Sequence, residues 1–199
     1  VWASQVLKGD AWLYRCEGKP EGNCPVPMGP DFDFSSPPLL QTMEGGKQIL
    51  VAASKSGIVW AFDPDRKGKI LWQVKVGKGS SFEPIWGLGA DRAQVYAAAS
   101  GPSAEPPNLP GGLTGIALAT GKVAWHTPAP TPDCAWGTVG CDHRQPSAVV
   151  VVPGVVFSGA IDGHMRAYAA KDGRILWDMD TARTYDAVNG IKAYGGNID

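Results

Sequence analysis

The chain has 199 residues, a formal net charge of −1, 44% hydrophobic residues, 26 Gly and 17 Pro. A balance this near neutrality offers no field for nucleic acid or an anionic membrane, and no run of about 18 apolar residues is present to span a bilayer. The Gly and Pro content, with short Val/Ile/Ala/Tyr runs, excludes a helical solenoid and points to an all-β chain.

In chain order, Val1-Trp2 reads as the tail of a unit that recurs later. A Pro/Gly-rich loop follows over 8–34 and carries Cys16 and Cys24. The pattern then becomes regular. Leu39–Met43 is a short apolar run and Gln48–Ala53 a buried strand. Ser54–Gly57 is a tight connection, Ile58–Asp63 an alternating strand, Pro64–Lys69 a turn and Ile70–Val76 a fourth strand. The order repeats over Gly87–Ala90, Gln94–Ala99, Thr114–Leu118 and Val123–Thr127, with a Pro-rich excursion at 101–112. It repeats again over Ser147–Val152, Val155–Gly159, Met165–Ala169 and Ile175–Met179.

Each repeat closes on Gly, a basic residue, two apolar residues and Trp, as in Gly68-Lys-Ile-Leu-Trp72, Gly121-Lys-Val-Ala-Trp125 and Gly173-Arg-Ile-Leu-Trp177. The tryptophans recur at intervals of 53 and 52 residues (72 to 125, 125 to 177), and Trp2 stands 70 before Trp72 because the Cys loop intervenes. Such a period marks an array of supersecondary units, and four antiparallel strands per unit make a β-propeller blade. The expected units are the end of a blade at 1–7, blades at 35–76, 87–127 and 145–180, and the start of another at 187–199. With ragged ends, the chain is expected to be a partial ring.

A large aromatic at one place per blade supplies area to bury between neighbours, so Trp2, Trp72, Trp125 and Trp177 are expected to be structural. Gly68, Gly121 and Gly173 fill a turn position suited to positive φ, and Asp63 is placed to cap its turn. The four cysteines form two close pairs, Cys16/Cys24 and Cys134/Cys141. That favours two loop-closing disulfides and a periplasmic or secreted protein over a metal site, for which only His143 is near.

The phrase Ala-x-Asp-x-x-x-Gly-Lys-x-x-Trp resembles the tryptophan-docking motif of pyrroloquinoline quinone (PQQ) dehydrogenase propellers. Gly9-Asp-Ala-Trp12, Gly29-Pro-Asp-Phe-Asp-Phe34, Cys134-Ala-Trp-Gly137 and Asp162-Gly-His-Met-Arg-Ala-Tyr168 resemble the polyvinyl-alcohol-dehydrogenase-like branch. The resemblance implies an eight-bladed ring, of which roughly half is spanned here if eight units need about 420 residues. It also implies PQQ and Ca2+ at the axis, oxidation of a secondary or polymeric alcohol, and electron transfer to a cytochrome c. No Cys-x-x-Cys-His is present, so a covalent haem would lie outside this segment.

A flat tricarboxylate needs an aromatic surface, cationic donors and oxygen ligands for its metal. Site residues are expected in the loops joining one blade to the next and the second strand to the third. Trp86 and Trp136, each followed by Gly, are candidate stacking surfaces, with Trp12 a third. Lys55 in Ser-Lys-Ser-Gly matches the basic residue of the family's quinone-binding phrase, and Arg144 and Arg183 are further donors. Glu83 and Asn189 are candidate Ca2+ ligands, with Asp31 and Asp33 as additional oxygens. The family's usual base is an Asp three residues before the loop Gly, but Ser54 and Ala160 stand there. Asp162, Asp142 and Asp186 are the remaining candidates. The competing reading is a cofactor-free propeller that binds other proteins, like outer-membrane assembly factors with the same repeat.

Overall fold

Runs of small and β-branched side chains broken by Gly- and Asp-bearing turns fold three times into a four-stranded antiparallel meander. The computed structural model describes residues 1–18, 22–79, 86–101, 111–132 and 144–198. The first sheet comprises β1 (Leu39–Thr42), β2 (Gln48–Ser54), β3 (Ile58–Asp63) and β4 (Lys69–Lys75). The second comprises β5 (Gly89–Ala90), β6 (Gln94–Ala99), β7 (Gly112–Ala117) and β8 (Val123–Pro128). The third comprises β9 (Val150–Val152), β10 (Val155–Gly159), β11 (His164–Ala169) and β12 (Ile175–Asp180). Their first strands touch one another, β1 with β5 and β5 with β9, which places these strands together at a centre with the sheets fanning outward. The protein is an all-β partial propeller, three consecutive blades of a ring.

Successive sheets pack face to face. Val51, Ala53, Val59 and Ala61 of the first sheet meet Val95, Ala97, Ala99 and Ile116 of the second. On the second sheet's other face, Tyr96, Leu113 and Trp125 meet Val156 and Tyr168 of the third. The outer face of the first sheet, with Trp60 and Phe62, is covered by Trp2, Val6 and Leu7.

The repeated tryptophans lock these interfaces. Trp72 donates its indole N–H to the Leu118 carbonyl of the next sheet at 2.8 Å, and Trp125 donates to the Ala170 carbonyl at 2.9 Å. Each ring lies on the following turn glycine: Trp2 on Gly68, Trp72 on Gly121 and Trp125 on Gly173, all three glycines having φ near +70°. The sequence pattern did not show how the ring is aimed. In all three sheets the register shifts beside the tryptophan, between Ala61/Phe62, Gly115/Ile116 and Ala167/Tyr168. These bulges leave Leu71, Ala124 and Leu176 without a cross-strand partner and turn the strand so that the indole faces the next blade. Among the described residues no further four-stranded sheet follows the third, and Trp177 is 46% exposed.

Asp63 caps the 3-10 turn Pro64–Arg66 by accepting from the Asp65 N–H at 3.1 Å. Arg66 at 2.8 Å and Lys47 at 3.2 Å shelter its carboxylate. Where the sequence suggested the start of a further blade at 187–199, the chain forms a hairpin of β13 (Thr184–Asp186) and β14 (Lys192–Tyr194). Gly190 closes its turn with φ +80°. Residues 196–198 then run back along the third sheet, where the Ile198 N–H reaches the Ala160 carbonyl at 3.1 Å.

Gly121→Ala places a methyl group 2.7 Å from the Trp72 ring at φ +71° and should destabilise by about 2–4 kcal/mol in chemical denaturation. Gly154→Ala, at φ +82° with nothing within 4 Å, should cost only the backbone term of about 1 kcal/mol. The hydrogen bond from Arg66, with Lys47 beside it, overcomes burial and lowers the Asp63 pKa from 3.8 to about 2. Its stabilisation is therefore complete above the unfolded value and lost as pH falls from about 4 towards 2. Asp63→Asn should flatten stability against pH across that window, read by denaturant midpoints at each pH.

Candidate functional site at the loop edge of the blades

The turn between β2 and β3 is held from within. The Gly57 N–H bonds the Ser54 carbonyl at 3.0 Å, and the Ser54 and Ser56 hydroxyls meet at 2.6 Å beneath the Trp60 indole N–H. Gly57 has φ +76° and lies against the Gly77 carbonyl, so no side chain fits there. This fixed turn presents Lys55. Its ammonium lies 3.0 Å from both Asp31 and Asp33, and its backbone N–H bonds the Asp33 carbonyl at 3.0 Å. Burial opposes its charge, but the hydrogen bonds it donates to the two carboxylates outweigh burial and raise the Lys55 pKa. Asp31 takes a left-handed φ of +64°, and Asp10 accepts the Phe32 N–H at 2.9 Å. The segment 31–33 is thus shaped to grip Lys55.

The corresponding turn of the third sheet holds a different chemistry. Asp162 is 1% exposed and meets Arg166, itself 2% exposed, at 2.7 Å, while its other oxygen accepts the His164 N–H at 3.0 Å. In this arrangement Asp162 is a counter-ion rather than an exposed proton acceptor. Arg166 also bonds Asp178 at 2.9 Å, and Asp178 bonds His164 Nδ1 at 2.5 Å. Burial would lower the Arg166 pKa, but Asp162 and Asp178 raise it. Burial would raise the Asp178 pKa, but hydrogen bonds from His164 and Arg166 lower it. Alongside, buried Gln145 donates to the Tyr168 hydroxyl at 3.0 Å.

The other expected site residues lie on the same edge without converging. Trp86 is 57% exposed beside Gly87. Arg144 is half-buried, with its carbonyl accepting the Ile161 N–H at 2.9 Å. Arg183 lies over the Tyr185 ring at 5.1 Å, and Asp186 pairs with Lys192 within the hairpin. The Asn189 side-chain oxygen accepts the Ile191 N–H of its own turn. Trp136, Asp142, Glu83, Cys134 and Cys141 lie outside the described residues. The Cys16–Cys24 disulfide is formed.

Sequence reasoning placed Asp31 and Asp33 as metal oxygens, whereas the structure turns both onto Lys55. It also missed the Arg166 network. The signal was present in strand alternation, since His164, Arg166 and Tyr168 share one face and pair across the ladder with Asp180, Asp178 and Ile175. An ammonium, guanidinium groups and an exposed indole are the donor types a flat polyanion needs, but here Lys55 is engaged by two carboxylates and the groups stand apart along the edge. Among the described residues no three His, Cys, Asp or Glu converge as a metal set.

The family model described as outer membrane protein assembly factor BamB matches residues 33–137 and 55–196. The chain is 37% identical over 200 residues to a protein named polyvinylalcohol dehydrogenase from Pseudomonas sp. It is 37% identical over 205 residues to a second of that name from Sphingopyxis sp. (strain 113P3). Each alignment covers 100% of this chain and 31% of the relative. The crystal structure of BamB from Moraxella catarrhalis superposes with a TM-score of 0.51 at 18% identity, over 74% of this chain and 38% of that one. That likeness carries the fold alone.

The buried pair gives a test of what holds this edge. Asp162→Ala leaves buried Arg166 with Asp178 as its remaining carboxylate and should destabilise by about 3 kcal/mol. Asp178→Ala, at a carboxylate open to solvent, should cost about 1 kcal/mol. Urea denaturation of both variants separates the two.

Proposed function

The chain belongs to the β-propeller family described as outer membrane protein assembly factor BamB, with its sequence similarity among polyvinyl-alcohol-dehydrogenase-like quinoprotein propellers, and from that premise we propose that the protein is a PQQ-dependent alcohol dehydrogenase. One observation carries the reading. The alignment at 37% identity covers the whole chain, where a likeness limited to the docking repeat would speak only for the fold. The substrate is a secondary or polymeric alcohol and the electron acceptor a cytochrome c.

Lys55 would hold a carboxylate or carbonyl oxygen of the quinone, and its raised pKa keeps it a cation at neutral pH. Trp86 would supply the aromatic surface, with Trp136, Arg144 and Arg183 completing the donor set, and Glu83 and Asn189 would serve Ca2+. When bound, the quinone supplies the two-electron acceptor. The proton of the alcohol needs a base, for which Asp142 and Asp186 remain candidates, Asp162 being taken up by Arg166. The Cys16–Cys24 disulfide supports a periplasmic or secreted setting. A second reading, a cofactor-free scaffold for other proteins, draws on the family model's description.

This three-blade arc alone is expected to be inactive, so PQQ and Ca2+ are added to a complete ring containing it, which should give alcohol-dependent dye reduction with secondary alcohols. No reduction by demonstrably folded protein would favour the scaffold. Lys55→Ala should weaken PQQ binding about 10- to 100-fold, read by tryptophan fluorescence quenching.

A further inference from the structure

We propose that Asp33 is a specificity gate on Lys55: its carboxylate denies the ammonium to free anions and reserves the remaining N–H for an uncharged oxygen acceptor. The proposal rests on the reading above that Lys55 meets a ligand, and it decides which kind of oxygen that ligand can offer.

The two carboxylates on Lys55 differ in how they are held. Asp31 is 22% exposed and fixed at φ +64°, and its neighbour Phe32 is held through its N–H by Asp10 at 2.9 Å. Asp33 is 61% exposed, while its backbone carbonyl accepts the Lys55 N–H at 3.0 Å. Backbone contacts thus pin segment 31–33 to the turn without help from the Asp33 carboxylate, which forms the open half of the clamp.

An ammonium has three N–H directions, and Asp31 and Asp33 take two of them at 3.0 Å. With tetrahedral directions, an oxygen on the third stands about 4.9 Å from each of the two carboxylate oxygens. For a free anion, two repulsions at that distance outweigh one attraction at 3.0 Å in any uniform dielectric. A carbonyl or hydroxyl oxygen makes the same directed bond and brings no net charge to be repelled. Without the Asp33 charge, one repulsion faces one closer attraction and the sign reverses. The flanking segments carry Asp10 with Lys8, Lys75 and Lys78, so the general charge of this edge does not exclude anions. Their exclusion from Lys55 belongs to the contact itself.

The test needs neither cofactor nor turnover. In the full chain carrying nitrogen-15 lysine, the Lys55 ammonium resonance is followed as inorganic phosphate is added at low ionic strength, with 80%-exposed Lys171 as the reference. Asp33→Asn, which removes the charge and keeps an acceptor, should raise the apparent phosphate affinity at Lys55 about three- to tenfold. Asp33→Ala, which also frees the N–H, should raise it at least as much. Glu44→Gln makes the same charge change at an exposed position on another turn and should leave it unaltered. N,N-dimethylacetamide, an uncharged carbonyl compound, should shift Lys55 alike in wild type and variants. An unchanged phosphate response in both Asp33 variants, an equal gain in Glu44→Gln, or a carbonyl that leaves wild-type Lys55 unmoved overturns the gate, whatever the activity of the complete ring. A gate that responds as expected within a ring that oxidises no alcohol stands, and the dehydrogenase reading falls instead.

Discussion

The seating of an indole on a glycine of the next blade is the contact on which this architecture depends. The Trp72 and Trp125 N–H groups meet carbonyls of the neighbouring sheet, at Leu118 and Ala170, so these rings are fixed by a directional bond as well as by contact area. The glycine answers two demands at once: its turn needs positive φ, and the indole occupies the space of a side chain. The bulge beside each tryptophan is the third element, because an unbroken ladder would aim alternate residues differently. Across the ladder from each tryptophan stands Ala61, Gly115 or Ala167, small enough to leave the indole room.

With the sheets locked by these tryptophans, the neighbouring ladder positions are free to vary, and the three blades differ there in kind. Ladder-equivalent positions next to the bulge hold Trp60 opposite Gln73, Thr114 opposite His126, and Arg166 opposite Asp178. An aromatic, a hydroxyl and a guanidinium are accommodated in turn because each finds a partner: Trp60 meets Ser54, Thr114 meets His126 at 2.9 Å, and Arg166 meets Asp162 and Asp178. A buried charge adds little net stability when paired and much instability when its partner is removed. The Arg166 network therefore specifies one geometry for the 160–163 turn more than it strengthens the fold.

The fold was legible because its causes are local and repeated. Strand order, turn glycines and the Asp63 cap all follow from side-chain period and turn chemistry, which act within a few residues. The expected strand Ile70–Val76 and the observed Lys69–Lys75 differ by one residue at each end. The candidate site was legible only in position. Residue type places Lys55 at a turn, but the clamp by Asp31 and Asp33 joins residues more than twenty positions apart and depends on a left-handed Asp31 that no periodicity reveals. Asp162 is a different case: a carboxylate beside a turn glycine reads as available, although Arg166 only four residues on takes it up.

The clamp on Lys55 bears on how an anion could be received at this edge. One ammonium against two carboxylates leaves the cluster at −1, so its field at a distance does not draw an anion in. Whatever Lys55 recognises must be recognised at contact, through an N–H direction that the two carboxylates leave open. Such a donor discriminates by geometry rather than by net attraction. Its raised pKa keeps that donor charged without any help from a ligand.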